Sequence, residues 1–90
     1  MTKQELIKEV AAAVQMPVSS VQSVVEATMD SIKSTMVAGD NIYLRGFGTF
    51  ARVTRAPKLV RDIQRNKAIQ LGERVVPVFK PAKEFKDKFR

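Results

Sequence analysis

Cysteine and histidine are both absent from this chain of 90 residues. Their absence excludes disulfides, zinc sites of the Cys/His type and catalysis by a Cys/His nucleophile–base pair. No apolar run approaches the roughly 18 residues of a membrane span. Glu5 and Glu9 interrupt the N-terminus, where a signal peptide would be apolar. We therefore expect a soluble cytoplasmic protein that uses neither a metal nor another cofactor.

Acidic residues are scarce in the second half of the chain. Residues 1–44 carry three basic and five acidic side chains, a net charge of −2, whereas residues 45–90 carry thirteen basic and four acidic ones, a net charge of +9. A basic half on an otherwise balanced domain is typical of nucleic-acid-binding proteins.

The first half has the apolar spacing of two helices. Thr2 and Glu5 have the spacing of a capping box, and the apolar residues that follow predict an amphipathic helix over residues 3–15. Pro17 separates it from a longer helix, which Gly39 can end in a left-handed conformation. Together they predict a helical hairpin.

The second half has the pattern of strands. We predict strands over residues 41–44, 47–59 and 69–79, with a turn at Arg45-Gly46 and a short helix over residues 82–89 that turns Phe85 and Phe89 inward. If the hairpin is centred between residues 64 and 65, Phe50 lies opposite Phe79. Pro57 then lies opposite Gly72, where we expect a bulge or a flexion point.

The long hairpin is too polar to form a core. It carries seven cations, which are Arg52, Arg55, Lys58, Arg61, Arg65, Lys67 and Arg74. A two-stranded hairpin is only marginally stable in water, so we expect residues 56–71 to be mobile until they bind. In a groove of nucleic acid, the cations would neutralise phosphates and release counterions. Without this ribbon the body has about 65 residues, so we also expect oligomerisation.

Two motifs frame the ribbon. The pattern Gly46-Phe47-Gly48-Thr49-Phe50 precedes it, and Val76-Pro77-Val78-Phe79-Lys80-Pro81 follows it. With the basic arm between them, these motifs resemble the histone-like HU and integration host factor family over the whole chain. The resemblance implies an α+β fold, with a helical hairpin, a three-stranded antiparallel sheet, a protruding β-ribbon arm, a short C-terminal helix and an intertwined dimer.

The same resemblance implies a function without catalysis. The protein would be an architectural, nucleoid-associated protein that binds duplex DNA through the minor groove, with little sequence specificity, and bends or compacts it. Residues 1–39 would form the helical dimerisation part, residues 40–54 and 75–81 the β-saddle, residues 55–74 the flexible arm, and residues 82–90 the C-terminal helix.

The resemblance also implies the residues of the site. Those that bind DNA would be Lys3, Arg52, Arg55, Lys58, Arg61, Ile63, Arg65, Lys67, Arg74, Lys80, Lys83 and Lys86. Those of the dimer core would be Val25, Ile32, Phe47, Phe50, Phe79 and Phe85. The direction of the Arg52 side chain stays open, because Arg52 and Val53 are exchanged relative to the usual alternation of apolar and basic residues.

The tip of the arm departs from the family pattern. Family members carry Arg-Asn-Pro, two variable residues and Gly, whereas residues 61–66 read Arg-Asp-Ile-Gln-Arg-Asn. Ile63 thus stands where the family has its proline wedge, and an apolar side chain can also unstack bases. The alternative is that Ile63 only packs across the hairpin against Ile69.

Two other functions and several questions stay open. The same fold could bind RNA or polyanions in general. A nuclease is the third alternative, and the helical acids Glu5, Glu9, Glu26 and Asp30 count against it because they lack the clustered pattern of metal ligands. A homodimer is the main expectation and a heterodimer with a paralogue its alternative. The preferred DNA, the bend angle and a chromosomal, plasmid or phage origin are open as well.

Overall fold

The computed structural model describes the chain outside residues 63–66, and for residues 60–62, 67–69 and 71 it describes the backbone alone. Two compact units divide the chain, Met1–Ser34 and Thr35–Arg90.

In chain order the elements are α1 (Lys3–Val14), α2 (Val18–Ala38), β1 (Ile42–Leu44), β2 (Gly48–Arg55), β3 (Lys58–Asp62), β4 (Lys67–Leu71), β5 (Arg74–Pro81) and α3 (Lys83–Lys86), followed by a 3₁₀ turn (Asp87–Phe89). The predicted α+β class is confirmed. No helix of the described residues is both long and apolar enough to cross a membrane.

The helix α1 begins at the predicted cap. The amide of Glu5 donates a hydrogen bond to Oγ1 of Thr2 at 3.2 Å, and that hydroxyl lies 3.3 Å from Oε1 of Glu5. The Glu5 carboxylate thus accepts a hydrogen bond from the hydroxyl of Thr2, whereas in a capping box it would accept one from the backbone amide of that residue. Gln15 ends the helix in the left-handed region, with φ of 55°. The helix is therefore one residue shorter than predicted.

A small apolar cluster lies in the unit Met1–Ser34. Ile7 is fully buried, Ala11 and Val21 are nearly so, and Val10 and Val25 pack against them. Residues 7, 10 and 11 follow the three- and four-residue steps of one helix face, so the amphipathic pattern of the sequence explains this core.

The helix α2 ends directly before Gly39, as predicted. The amide of Gly39 donates to the carbonyl of Met36 at 3.2 Å, and that of Asp40 donates to the carbonyl of Thr35 at 3.1 Å. These two bonds form a Schellman motif, which satisfies carbonyls that the helix leaves free. Gly39 has φ of +119°, a value that residues with a β-carbon rarely adopt.

Three strands of the unit Thr35–Arg90 form an antiparallel sheet in the order β1-β2-β5. A turn joins β1 to β2, in which the amide of Phe47 donates to the carbonyl of Leu44 at 3.0 Å. Gly46 supplies the positive φ of +82° that the third residue of a type II turn requires. In the β2–β5 pairing Phe50 lies opposite Phe79, so the predicted register is confirmed.

The three-stranded antiparallel sheet is confirmed, but each of the two long predicted strands is interrupted, so the described residues form five strands instead of three. The β2–β5 ladder ends at the pair Arg55–Arg74, and a separate two-stranded sheet of β3 and β4 begins at Lys58–Leu71. Residues 56–57 and 72–73 lie between the two ladders, in no strand. Because both sides skip the same number of residues, the register is preserved. Of the two expectations for Pro57 and Gly72, the bulge is therefore absent, and the flexion point stays a prediction. Pro57 has no N–H to donate there, which explains the break.

A cluster of aromatic rings lies at the base of the ribbon. The ring centroid of Phe79 is 5.0 Å from that of Phe47 and 5.0 Å from that of Phe50, and the Phe47 and Phe85 rings stack at 5.4 Å. A β-carbon on Gly48 would lie 2.5 Å from the Phe79 ring and 2.7 Å from the carbonyl oxygen of Lys80. Only glycine lets the ring pack this closely on the backbone.

The C-terminal segment is helical, as predicted, but it is not one regular helix. The four residues of α3 pass directly into the 3₁₀ turn. Phe85 is half-buried in the aromatic cluster, whereas Phe89 is 79% exposed although its ring lies 5.7 Å from that of Phe85. The prediction that both rings turn inward is therefore wrong for Phe89. The tighter turn changes the direction of the side chain.

Candidate nucleic-acid interface

The two faces of the β1-β2-β5 sheet differ in chemistry. Successive side chains of a strand point to opposite faces, and directly opposed residues of paired strands share a face. The register therefore places Ile42, Phe50, Arg52 and Phe79 on one side, which we name the aromatic face. The other side, which we name the cationic face, carries Tyr43, Thr49, Ala51, Val53, Arg55, Arg74, Val76, Val78 and Lys80.

A row of polar side chains crosses the cationic face. Tyr43 pairs with Thr49 and Thr49 with Lys80, so a phenol, a hydroxyl and an ammonium group stand side by side on three strands. Tyr43 is 74% exposed, the Lys80 side chain is exposed as well, and Thr49 is half-buried. All three can donate hydrogen bonds to the oxygens of an anionic ligand.

An open cleft of about 530 Å³ adjoins this row. Tyr43, Thr49 and Lys80 line it together with Arg45, whose side chain is exposed. Sequence reasoning named neither Tyr43 nor Arg45 as a site residue. For Tyr43, the alternation of residues in β1 could have indicated its position. Tyr43 stands between two aliphatic residues and therefore lies on the face of the sheet opposite to theirs.

Two arginines end the cationic face at the start of the arm. Arg55 and Arg74 are the last paired residues of the β2–β5 ladder and lie directly opposite each other. The Nη1 atom of Arg74 is buried and has no hydrogen-bond partner among the residues that the structure describes. Arg55 is exposed. This arrangement concentrates two positive charges where the arm leaves the sheet.

Arg52 has a different environment from the other cations of the strands. Its backbone amide donates to Oδ1 of Asn41 at 2.9 Å. A β-carbon on Gly39 would lie 3.0 Å from a guanidinium nitrogen of Arg52. A cation beside the carboxyl end of α2 interacts favourably with the helix dipole. Arg52 thus lies on the aromatic face, on the side of the sheet opposite to Arg55. This placement disfavours the predicted contact of Arg52 with DNA, which stays a prediction.

The cations of the arm are described only in part. Lys58 begins β3 and is exposed. Arg61 and Lys67 occupy backbone positions in the β3–β4 ladder, opposite Ala68 and Asp62, and their side chains lie outside the description. Ile63 and Arg65 lie outside the described residues, so the predictions made for both remain predictions.

The lysines of the helices are exposed and weakly paired. Nζ of Lys3 lies 3.3 Å from Oε1 of Glu26, within the unit Met1–Ser34. Nζ of Lys83 lies 3.5 Å from Oδ2 of Asp87, and Lys86 is exposed. Exposed ion pairs of this kind contribute at most about 1 kcal/mol. A phosphate can therefore compete for these lysines at little cost.

The geometry defines a class of protein: a small α+β domain whose sheet carries cations on one face and extends into a basic ribbon. The chain belongs to the family of bacterial DNA-binding proteins, which it matches over residues 1–90.

Within that family, the chain is similar to several integration host factor subunits. It is 36% identical over 89 residues to integration host factor subunit beta of Aeromonas hydrophila, covering 98% of this chain and 95% of that protein. It is 37% identical over 89 residues to the same subunit of Pectobacterium carotovorum, with the same two coverages of 98% and 95%.

Solved structures show a similar fold. Anabaena HU in a cocrystal with DNA superposes with a TM-score of 0.91 at 28% identity, over 99% of this chain and 97% of that one. A mutant of HU from Thermotoga maritima superposes with a TM-score of 0.75 at 27% identity, over 100% of both chains. The resemblance to HU and integration host factor is therefore confirmed.

Proposed function

We propose that the protein is an architectural DNA-binding protein that acts as a dimer with two β-arms. It binds duplex DNA through the minor groove with little sequence specificity, and it bends or compacts the DNA. Family membership supports this proposal, as does the likeness to an HU that was crystallised with DNA. Binding is the proposed activity, and we assign the protein no catalytic step. We place it in the cytoplasm, associated with the nucleoid.

The observation that carries the proposal is the grouping of three cations on one face of the sheet, at the start of a basic arm. Arg55, Arg74 and Lys80 share the cationic face, and the basic arm continues from the first two. Such a surface can follow the phosphates on both sides of a groove and release their counterions. Phosphate contacts position a protein on DNA without reading bases, which accounts for the low sequence specificity.

The aromatic cluster supports a dimer. Phe47 packs against two other rings yet remains 47% exposed in the single chain. Exposed apolar surface of this kind is typical of an interface between subunits. We propose that a second copy covers it and that the dimer core comprises Val25, Ile32, Phe47, Phe50, Phe79 and Phe85. A heterodimer with a paralogue is the alternative, since the integration host factor relatives are named as subunits.

We propose the division of labour along the chain that the family resemblance implies. Residues 1–39 carry the helical dimerisation part, residues 40–54 and 75–81 the saddle, residues 55–74 the arm, and residues 82–90 the C-terminal helix. Ile63 is the proposed wedge between base pairs. Lys3, Lys80, Lys83 and Lys86 would hold phosphates on the flanks of the body, outside the bend. The cations of the arm would follow the groove.

A bending measurement tests the proposal. A short duplex with a donor and an acceptor dye at its two ends is titrated with the protein to saturation. We expect energy transfer to increase as the ends approach, with tighter binding to nicked or mismatched duplexes because these cost less to bend. Saturable binding with an unchanged end-to-end distance would exclude bending. Native mass spectrometry of the free protein tests the dimer.

Competition with duplex RNA separates the proposal from general polyanion binding. The A-form helix has a wide, shallow minor groove, which suits an inserted arm poorly. We expect an RNA duplex of equal length and charge to compete much less well than DNA. Equal competition would favour a general polyanion binder with the same fold.

A further inference from the structure

Among the residues that the structure describes, Arg52 is the one cation on the aromatic face of the sheet. It stands opposite Pro77, one rung beyond the ring pair Phe50–Phe79. The two rings belong to the proposed dimer core. Val75 shares this face on the next rung and is 49% exposed in the single chain. A second copy that covers the rings therefore lies next to Arg52.

The charge of Arg52 is only partly balanced within its own chain. The guanidinium group lies against Gly39, directly after α2, and a helix C-terminus carries about half of an elementary negative charge. Two carbonyls of the last turn already accept bonds from the amides of Gly39 and Asp40. The ion pairs of the described side chains are Lys3–Glu26, Lys83–Asp87 and Asp87–Arg90. None of them includes Arg52, so part of its charge has no described counter-charge.

An open cleft of about 350 Å³ lies beside the Arg52 side chain. Asn41 forms part of its wall and accepts a hydrogen bond from the backbone amide of Arg52, which fixes β2 to the end of the loop after α2. The described residues that line the cleft are Gly39, Asp40, Asn41, Arg52, Thr54 and Val75. The cleft therefore offers a cation and open space to a side chain of another molecule.

A second copy carries the charge that this cleft lacks. Residues 1–34 hold four acids, Glu5, Glu9, Glu26 and Asp30, against three lysines, whereas the rest of the chain is strongly basic. A second copy that covers the aromatic face also removes water from Arg52. A buried cation is strongly destabilising without a counter-charge but is tolerated beside a carboxylate. An acid from the helices of the second copy fits this requirement.

We propose that Arg52 selects the partner subunit by forming an ion pair across the dimer interface with an acidic side chain of α1 or α2 of a second copy. The two-fold symmetry of a homodimer produces this pair twice. A paralogue without the acid would leave Arg52 buried and unpaired, so the pair favours the homodimer over a heterodimer. The inference rests on the proposed dimer and is independent of DNA bending.

The first test measures dimerisation of the full chain without DNA. Arg52→Leu removes the cation and leaves the acid of the second copy unpaired, so we expect the dissociation constant of the dimer to rise at least about tenfold. Arg90→Leu makes the same substitution at a side chain that is 85% exposed and should leave the constant unchanged. Sedimentation equilibrium gives the constants. An unchanged or tighter dimer of Arg52→Leu would overturn the proposal, because an apolar interface without an acid favours leucine.

An exchange of charges identifies the acid and separates pairing from a structural role of Arg52. A chain with Arg52→Glu is mixed, in separate experiments, with a chain that carries Glu5→Lys, Glu9→Lys, Glu26→Lys or Asp30→Lys. In the correct mixture the mixed dimer has both ion pairs, whereas each homodimer opposes like charges. We expect that mixture to form mixed dimers in about tenfold excess over either homodimer. Native mass spectrometry with one chain isotopically labelled counts the species. Statistical mixing in all four experiments would refute the proposal.

A variant of Asp40 tests for a counter-charge within the same chain. If Asp40 balanced Arg52 of its own subunit, addition of Asp40→Lys to the Arg52→Glu chain would restore the homodimer. We expect no restoration, and a restored homodimer would contradict pairing between subunits. The energy-transfer experiment keeps this inference separate from the proposed function. Unchanged DNA ends with selective mixing would refute bending alone, and a normal bend with statistical mixing would refute partner selection alone.

Discussion

The β2–β5 ladder and the β3–β4 ladder share one register but differ in what surrounds them. In the inner ladder, β2–β5, Ala51 is buried and Phe50 and Phe79 pack in the aromatic cluster. In the outer ladder, β3–β4, Lys58 and Gln70 are exposed and Leu59 is 71% exposed. The two ladders thus keep one register across the break, whereas, among the side chains that the structure describes in them, the buried ones lie in the inner ladder.

This difference suggests how one hairpin can serve two purposes. A ladder packed on a ring cluster can hold cations in fixed positions. A ladder with exposed side chains gains little from burial, and an isolated two-stranded pairing is marginal in water. We therefore expect the inner ladder to orient the arm and the outer ladder to adapt to its ligand. Four sets of substitutions test this contrast.

Truncation of an aromatic ring should produce the largest difference in stability between a variant of the inner ladder and a variant of the outer ladder. Phe79→Ala removes ring contacts with Phe47, Phe50 and Phe85, so we expect a loss of about 3 kcal/mol in the free energy of unfolding. Leu59→Ala in the outer ladder should change it by less than about 0.5 kcal/mol. Urea denaturation measures both values. Equal losses would mean that the outer ladder contributes a core of its own.

Two glycines provide a second contrast of the same kind. Gly48→Ala places a methyl group 2.5 Å from the Phe79 ring, and we expect a loss of about 2 kcal/mol from overpacking. A β-carbon on Gly72, at the break, would meet no atom within 4 Å. Gly72→Ala should therefore leave the free energy of unfolding unchanged or raise it by about 0.5 kcal/mol, because alanine restricts the unfolded chain more than glycine does. Thermal unfolding of both variants measures the difference. A marked loss for Gly72→Ala would show that the break requires a conformation that only glycine adopts.

Charge removal tests whether body and arm both bind phosphates. Arg61→Gln in the arm and Lys83→Gln in α3 should each lower the slope of log affinity against log salt concentration by about 0.9 per lost phosphate contact. Lys88→Gln removes an equal charge near the C-terminus and serves as the control. Binding isotherms for duplex DNA at several salt concentrations give the slopes. If all three variants have the slope of the unaltered protein, these positions do not contact phosphates.

Substitution at the tip should have the smallest effect on affinity. Ile63→Ala removes the apolar body that a wedge needs, so we expect a smaller bend with a change in binding free energy below about 0.5 kcal/mol. Energy transfer on the end-labelled duplex measures the bend, and Leu59→Ala controls for apolar truncation elsewhere in the arm. An unchanged bend would mean that Ile63 packs within the hairpin.

Much of the fold could be predicted because its signals are local. The cap at Thr2, the stop at Gly39 and the register of Phe50 with Phe79 depend on residue type and spacing alone. The break in the ribbon was only half predicted. The sequence shows that Pro57 is unsuited to a ladder, but it still predicts one strand across this residue, because spacing does not show where pairing stops. The position of Phe89 differs from the prediction because the C-terminal segment ends in a 3₁₀ turn instead of a regular helix.

The candidate site was less accessible to sequence reasoning. The excess of cations was evident, but Tyr43 and Arg45 carry no distinctive local signal. Their position beside Lys80 arises from the pairing of β1 with β2 and of β2 with β5, which brings together residues that are far apart in the chain. Such proximity depends on register in three strands at once.

By itself, the sequence determined the family, the order of the elements, the register of the long hairpin and the segregation of charge into the second half. All of these depend on spacing, on turn residues and on composition. Only the tertiary structure decided what surrounds the cations of each face. Alternation and register divide the residues of the strands into two sets, but packing decides which other elements each set meets. That is why Arg52 lies beside Gly39, while Arg55 and Arg74 meet on the opposite face at the base of the arm.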